Sequence, residues 1–426
     1  MPVNEATVQS GWKPRPAVLA GIALAGLIVL TFFPVLTFEF MGYDARSQVV
    51  DNPLVRDFTL DNVWRICTSR CVTSYRPVRT LTYMLDCQLW GQHAGGFKFT
   101  NCLFHTANTL LLFWLSLRLL RDPTEIRGDS HPWRDVAAAG FAAAIYAVHP
   151  VVVEAVVWVP GREELLMTMG ALGAIHLHMT AWRTNEKGGT TRRAIACHIG
   201  ATLCCAAASL SNAVAAVIPA LITAWDLVYL ARPKFWKTLQ GTAAMWIIGV
   251  ATILIKRSEG TVPLVGQPGF FSTDRWLLVA NVHWLNLKTL CWPANLGFDY
   301  PPVKPASPLD TQVLLGVIAI GLALLALRLV RRQKAIQFGL LWFVLALAPT
   351  SQIMIHHIHR ADRFLYLPLA GIVLALAAAS RPREIAVCRR AAIARRLALG
   401  MVVVLALETL ATRQVWTWQN EITACE

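Results

Sequence analysis

Long apolar runs separated by short basic connections leave this chain one class of fold. Eleven stretches, at about 17–38, 98–117, 136–153, 164–182, 194–209, 213–230, 241–255, 311–327, 337–351, 365–380 and 397–412, are apolar enough to cross a bilayer. A crossing takes roughly 20 residues of helix. With 55% hydrophobic and 15% charged residues and a mean hydropathy of +0.48, the 426-residue chain reads as an all-α polytopic membrane protein. Residues 17–38 could be mistaken for a cleaved leader. The run is too long, and Thr37-Phe38-Glu39-Phe40 offers no small-residue cleavage pattern, so it reads as a retained anchor.

Charge sets the orientation. With the N-terminus cytoplasmic, the basic residues Lys13/Arg15, Arg118/Arg121/Arg127/Arg134, Arg183/Lys187/Arg192/Arg193, Arg232/Lys234/Lys237, Arg328/Arg331/Arg332/Lys334 and Arg381–Arg396 all fall on one side, as the positive-inside rule requires. The net charge of +14 is then explained by topology and anionic headgroups, and no nucleic-acid partner is needed. Parity adds a further expectation. If 275–292, which holds Asn281, His283, Asn286 and Lys288, crossed the membrane, Arg331/Arg332 and Arg389/Arg390 would land outside. It is therefore expected to be a re-entrant or interfacial helix on the outer face. The expected organisation is a cytoplasmic tail 1–16, a transmembrane domain 17–412 with an outer loop 40–97, and a short outer tail 413–426.

Nearly all candidate chemistry falls in the outer loops. The first contains Asp44 and has amphipathic helical character at Leu60–Trp64 and Thr80–Trp90, which predicts interfacial helices. Asp44 reads either as a solvated loop carboxylate or as a general base near the membrane surface. The second cluster, HPVVVEAVVWVPGREELL (149–166), places His149 and Glu154 in an apolar run, where an ionisable group needs a polar cavity. Glu163 and Glu164 open the next span, where the helix dipole favours them. Arg162 is either part of that turn or a bidentate phosphate ligand. The third, HHIHRADRFLYLP (356–368), could suggest a metal, but His356, His357 and His359 on one helix cannot meet at one ion, so no metal is assigned. Arg360 and Arg363, three residues apart, read better as a phosphate clamp, with an anchoring role at the interface as the competing reading. Cys67 and Cys71 form the one close cysteine pair in an outer loop, where a disulfide could form. Walker, GxGxxG and GxSxG motifs are absent, as are 34-residue repeats.

Taken in order, these segments resemble a family. HPVVVEAVVWVPGREELL is similar to the HP-x-x-x-E signature of the transmembrane and TPR-containing (TMTC) O-mannosyltransferases and their bacterial relatives. SYRPVRTLTYMLD, NPLVRD, FHTANTLLL, WPANLGFDY and ADRFLYLPLAG resemble further motifs of that family, from about 40 to 380. The resemblance implies a GT-C-like bundle of about 11 transmembrane helices. It implies a polyprenyl-phosphate sugar, mannose or another hexose, as donor and a hydroxyl on a protein Ser/Thr or a glycan as acceptor. It makes Asp44 the base, with Arg162, Arg360 and Arg363 on the donor phosphate. Tyr75, Arg76, His149, Glu154, Glu164, Asp299 and Asp362 then line or support the cavity. No cofactor is implied, because phosphate is already a good leaving group. The expected location is a bacterial inner or endoplasmic reticulum membrane, with the active site on the non-cytoplasmic side.

Three departures bear on activity. The second first-loop carboxylate is Ala45, a lysine after the fifth span is Asn212, and the 426 residues stop at WTWQNEITACE, about where a TPR array would begin. The last leaves room for a separate acceptor-binding subunit. An inactive GT-C-like scaffold and a transporter of lipid-linked sugar are the rival readings.

Overall fold

The computed structural model describes residues 15–69, 74–122, 132–186, 191–230, 235–258, 269, 271–303, 307–353, 358–381 and 389–420. Within them the chain forms helices and no strand. Helix α1 (Arg15–Phe32) ends in a 3-10 turn at Phe33–Thr37. The following loop contains α2 (Gly42–Ala45), α3 (Leu60–Thr68) and α4 (Pro77–Trp90). Next come α5 (Ala94–Leu120), α6 (Pro132–Val148), the short α7 (Val153–Val157), α8 (Arg162–Glu186), α9 (Thr191–Ser209), α10 (Ile218–Tyr229) and α11 (Phe235–Ser258). The last third comprises α12 (Thr273–Cys291), α13 (Thr311–Leu329), α14 (Lys334–Leu347), α15 (Tyr366–Ser380) and α16 (Arg389–Thr417).

Each expected span lies on one of these helices. Six segments, in α1, α5, α11, α13, α15 and α16, are long and apolar enough to cross a membrane, and a seventh if α6 and Pro150–Val157, bent by 53°, count as one. The segments 213–229 and 334–350 are shorter apolar helices, and α8 and α9 carry more polar residues. The interfacial helices also form where expected. Thr59 caps α3, its hydroxyl accepting from the Asn62 N–H at 3.2 Å, and Phe58, Leu60 and Trp64 are exposed.

Ion pairs mark the two ends of the bundle. At one end Arg183 meets Asp122 at 3.0 Å and Arg381 meets Asp135 at 2.9 Å, which joins the ends of α5, α8 and α15 to the start of α6. Lys334 at the start of α14 donates to the Tyr229 carbonyl at the end of α10 at 3.4 Å. The first-loop helices, His149 and Arg162 gather at the opposite end. Helix α12 touches that opposite end twice. Arg275 in its first turn donates to the Gln352 carbonyl, just beyond α14, at 3.2 Å. In its last turn the Leu290 carbonyl accepts from His149 at 3.1 Å. A 19-residue helix with both ends on one side of a bundle lies across it, as the parity argument expects.

Helices α14 and α15 pack with backbones almost in contact. A Cβ added at Gly339 would sit 2.5 Å from the Ala375 nitrogen, and one at Gly371 would sit 2.5 Å from the Phe343 nitrogen. Small residues permit this close approach in membrane bundles. Trp342 Nε1 locks the pair by donating to the Leu367 carbonyl at 3.0 Å. The start of α15 is thereby fixed.

The arrangement of α12 can be checked by labelling. Single cysteines at Asp274 and Trp292, in a chain whose exposed Cys67 and Cys291 are replaced by serine, should react with an impermeant maleimide from one face of oriented vesicles. A cysteine at Arg331 should react from the other. Labelling of Asp274 and Trp292 positions from opposite faces would make α12 a span.

Candidate functional site

The site is built where α6 gives way to α8. Pro150 disfavours helical backbone at His149, and His149 is extended (φ −68°, ψ 129°) with its Nδ1 accepting from the Val151 N–H at 3.3 Å. After α7 the chain turns again at Val159–Gly161. Any side chain at Gly161 would meet the Ala155 carbonyl oxygen at 2.7 Å, so the turn requires glycine. These two breaks place Glu154 and Arg162 inside the protein.

Glu154 is buried and binds the ADRF segment twice. One oxygen accepts from the Arg363 backbone N–H at 2.8 Å, and the other pairs with the Arg363 guanidinium. That guanidinium lies 4.8 Å from the centre of the Trp158 ring. Beside this pair, Tyr300 donates to Asp362 at 2.7 Å. Burial, reinforced by the Asp362 charge, raises the Tyr300 pKa and keeps the phenol a donor. Arg360 stacks on the same ring at 4.3 Å and donates to Thr289 at 2.7 Å. Its Nε is enclosed and has no partner, while the side chain as a whole is half-buried at the rim.

Asp44 and Asp299 are exposed. Gly42, two residues before Asp44, has φ +78°, and a Cβ there would lie 3.7 Å from both Trp158 Nε1 and Phe298. Trp158 and Phe298 themselves pack edge to face at 5.9 Å. The first loop therefore rests on the Trp158 ring that also carries Arg363. Asp44, Glu154, Asp299, Arg360, Asp362 and Arg363 are brought to one neighbourhood.

Arg162 is not part of it. It is fully buried and pairs with Asp86 of α4 at 2.5 Å. It also donates to Asn101 at 2.7 Å, the Phe97 carbonyl at 2.8 Å and Thr82 at 3.3 Å. The Tyr83 ring lies 4.8 Å away. With its charge neutralised and its donors used, Arg162 cannot share a phosphate with Arg360 and Arg363. The expected three-arginine clamp is corrected: the structure takes Arg162 out of it, and Glu154 already balances Arg363. Burial raises the Asp86 pKa and Arg162 opposes that shift, favouring the ionised carboxylate.

Glu163 pairs with Arg76 and, at 2.8 Å, with Arg79; helix-dipole stabilisation is not its main role. Glu164 is buried and accepts from Asn212 at 3.0 Å, within electrostatic reach of Arg363 and Arg76. Tyr75 and Arg76 line a small open cleft with Ser209, Ala213 and Lys256. His359 accepts from the Val303 N–H at 3.0 Å and so anchors the segment after Tyr300. His356, His357 and Cys71 lie outside the described residues. Sequence reading missed Arg79, Asp86, Asn101, Thr289 and Tyr300. Arg79 and Asp86 were within reach of it, because a spacing of two helical turns in SYRPVRTLTYMLD puts them on one face.

No family profile matches the chain. It is 25% identical over 369 residues to a protein O-mannosyl-transferase of Caenorhabditis elegans, which covers 83% of this chain and 50% of that relative. A 166-residue stretch, 36% of this chain, is 30% identical to the protein O-mannosyl-transferase TMTC1 of Mus musculus and covers 16% of it. The protein O-mannosyl-transferase TMTC4 of Homo sapiens is 25% identical over 182 residues, 41% of this chain and 25% of that relative. The chain spans half the length of the nematode relative, and less of the others. Among solved structures, the archaeal oligosaccharyltransferase AglB of Archaeoglobus fulgidus superposes with a TM-score of 0.51 at 12% identity, over 95% of this chain and 56% of its own. The likeness is one of fold, and it agrees with the expected polytopic helical bundle.

Arg162 thus becomes a stability residue. Arg162→Met strands a buried carboxylate and should destabilise the protein by about 3–5 kcal/mol, read as a lower thermal unfolding midpoint in detergent. Adding Asp86→Leu should recover much of the loss. An Arg162→Met protein as stable as wild type would return Arg162 to the candidate ligands.

Proposed function

We propose that the chain is a membrane glycosyltransferase that moves a hexose, mannose in the first instance, from a polyprenyl-phosphate donor to a hydroxyl acceptor. The observation that carries this reading is that the exposed first-loop carboxylate Asp44 follows two residues after Gly42, which lies against the Trp158 ring that also carries Arg363. The kinship with O-mannosyl-transferases supports the reaction class. That AglB was solved with a dolichol-phosphate and an inhibitory peptide supports a lipid-phosphate donor and a protein acceptor.

The step is a single displacement. Asp44 takes the proton of the acceptor hydroxyl as that oxygen bonds to the anomeric carbon. The bond from the anomeric carbon to the phosphate oxygen breaks with its electron pair, and polyprenyl phosphate leaves. Configuration at the anomeric carbon inverts. Arg360 meets the growing charge on the phosphate, since its guanidinium is half-buried at the rim between Tyr300 and Thr289. Arg363, already balanced by Glu154, holds the rim together. No step is assigned to a metal. The site faces the non-cytoplasmic side of a bacterial inner or endoplasmic reticulum membrane, and protein Ser/Thr or a glycan, with or without a separate acceptor-binding subunit, supplies the hydroxyl. The basic residues at the far end of the bundle support that orientation.

One observation favours a second reading, an inactive scaffold. Ala45 is fully enclosed, so the chain has no second carboxylate beside Asp44 and no exposed position for one. A transporter is disfavoured, because the ion pairs described above gather at the ends of the bundle rather than at its midplane.

Two substitutions test the transferase. Asp44→Asn should abolish release of polyprenyl phosphate from a labelled donor while leaving donor binding intact. Arg360→Gln should weaken donor binding by about 1.5–3 kcal/mol, the range for a hydrogen bond to a charged group. Full turnover by Asp44→Asn would remove the base. Donor binding without turnover in the wild-type chain, across all sugars and acceptors tried, would establish the scaffold.

A further inference from the structure

Most buried cations at the site end of the bundle face a carboxylate. Arg76 and Arg79 face Glu163, Arg162 faces Asp86 and Arg363 faces Glu154. Lys98, in the second turn of α5, differs. It is 1% exposed and its ammonium has no hydrogen-bond partner. Its Nζ lies 5.2 Å from the centre of the Phe38 ring. An aromatic face offsets part of the lost hydration but accepts none of the three N–H bonds. Glu39 attracts the ammonium through space, yet it is exposed and does not pair with it.

The surroundings indicate which anion could reach it. Phe38 packs on Trp416 at 5.6 Å and so closes the α1–α16 seam above Lys98. Along both helices apolar side chains are exposed, among them Ile22, Leu30, Val402 and Leu405, so this seam faces lipid. An anion that arrives through it must be carried on an apolar tail. One turn along α5, Asn101 donates to the carbonyls of Val156 at 3.1 Å and Trp158 at 3.4 Å. The Trp158 ring carries Arg363. Lys98 therefore lies one helical turn from the floor of the site.

We propose that Lys98 binds a lipid-borne phosphate that enters between α1 and α16, the phosphate coming either from a polyprenyl phosphate or from a bilayer phospholipid. The phosphate supplies the acceptors that the ammonium lacks, and the Phe38 and Trp416 rings flank the first units of the tail. The inference rests on the transferase reading only for the polyprenyl source. Binding at Lys98 itself requires no turnover.

The test uses the full chain in detergent with two probes measured separately, undecaprenyl phosphate and phosphatidylglycerol. The readouts are intrinsic tryptophan fluorescence and the thermal unfolding midpoint. Lys98→Met should weaken binding about tenfold or more, the loss of one charge-assisted contact, without lowering the midpoint. Lys98→Arg, which keeps the charge, should retain most of the affinity. Loss confined to undecaprenyl phosphate makes Lys98 a donor-binding residue, and equal loss for both probes makes it a general site for lipid phosphate. Wild-type affinity for both probes in Lys98→Met overturns the inference, as does a wild-type chain that binds neither. If Lys98→Met fails to fold, Lys98→Gln takes its place under the same criteria. Neither probe carries a sugar. A chain that binds through Lys98 and transfers nothing would sink the transferase reading and leave this one standing.

Discussion

A charge buried in a membrane bundle is tolerable only beside another charge or in a polar cavity, and that constraint organises this protein. At the site end the pairs Arg162–Asp86, Arg79–Glu163 and Arg363–Glu154 each join segments far apart in the chain. The first two tie α4 to the start of α8, and the third ties α7 to the ADRF turn before α15. Breaking any one leaves a stranded ion, which costs far more than the pair's net contribution to stability. The pairs therefore act as registration devices. They fix which helix end meets which, and hydrophobic packing along the helices, being non-directional, cannot do this.

This separates the residues that build the site from those free to act in it. Arg162 has its charge and donors committed inside the protein. Arg363 has its charge balanced and its ring contact with Trp158 fixed. Arg360 is anchored by one hydroxyl and one ring and stays half-buried. Asp44 is exposed on a loop whose glycine rests against Trp158. Rigid neighbours around a half-buried guanidinium and an exposed carboxylate are what the proposed anion site needs, since preorganised groups bind without refolding.

Topology was the most legible part. Charge asymmetry alone placed α12 across the end of the bundle, because a crossing would have inverted every later basic loop, and Arg275 and Leu290 do meet the same end. The interfacial helices α3 and α4 were legible for the same reason, through amphipathic pattern. Arg162 was not. Its position at a Pro-Gly turn read equally as ligand or scaffold, and the deciding partner, Asp86, lies on another helix. Local pattern gives the face a residue occupies and is silent on which distant carboxylate arrives there. Lys98 escaped notice because a lysine near a helix end normally extends its ammonium to water. Here Phe38 and Trp416 cover the exit.

Those two rings make the last helix part of the site's architecture. Trp416 and Trp418 sit at the end of α16, the first against Phe38 and the second against Phe298 at 5.4 Å. Phe298 continues to Trp158, and Trp158 to Arg363. Aromatic contacts therefore run from Phe38 to Trp416 and from Trp418 to the Arg363–Glu154 pair, the two stretches joined by the backbone at the end of α16. Aromatic rings suit this position because they present an apolar body to lipid and a negative face to cations. The series contains both Lys98 and Arg363 as cations over ring faces. The first of these cations has no hydrogen-bond partner and the second is held by Glu154, so the end of α16 borders one unpaired and one paired charge.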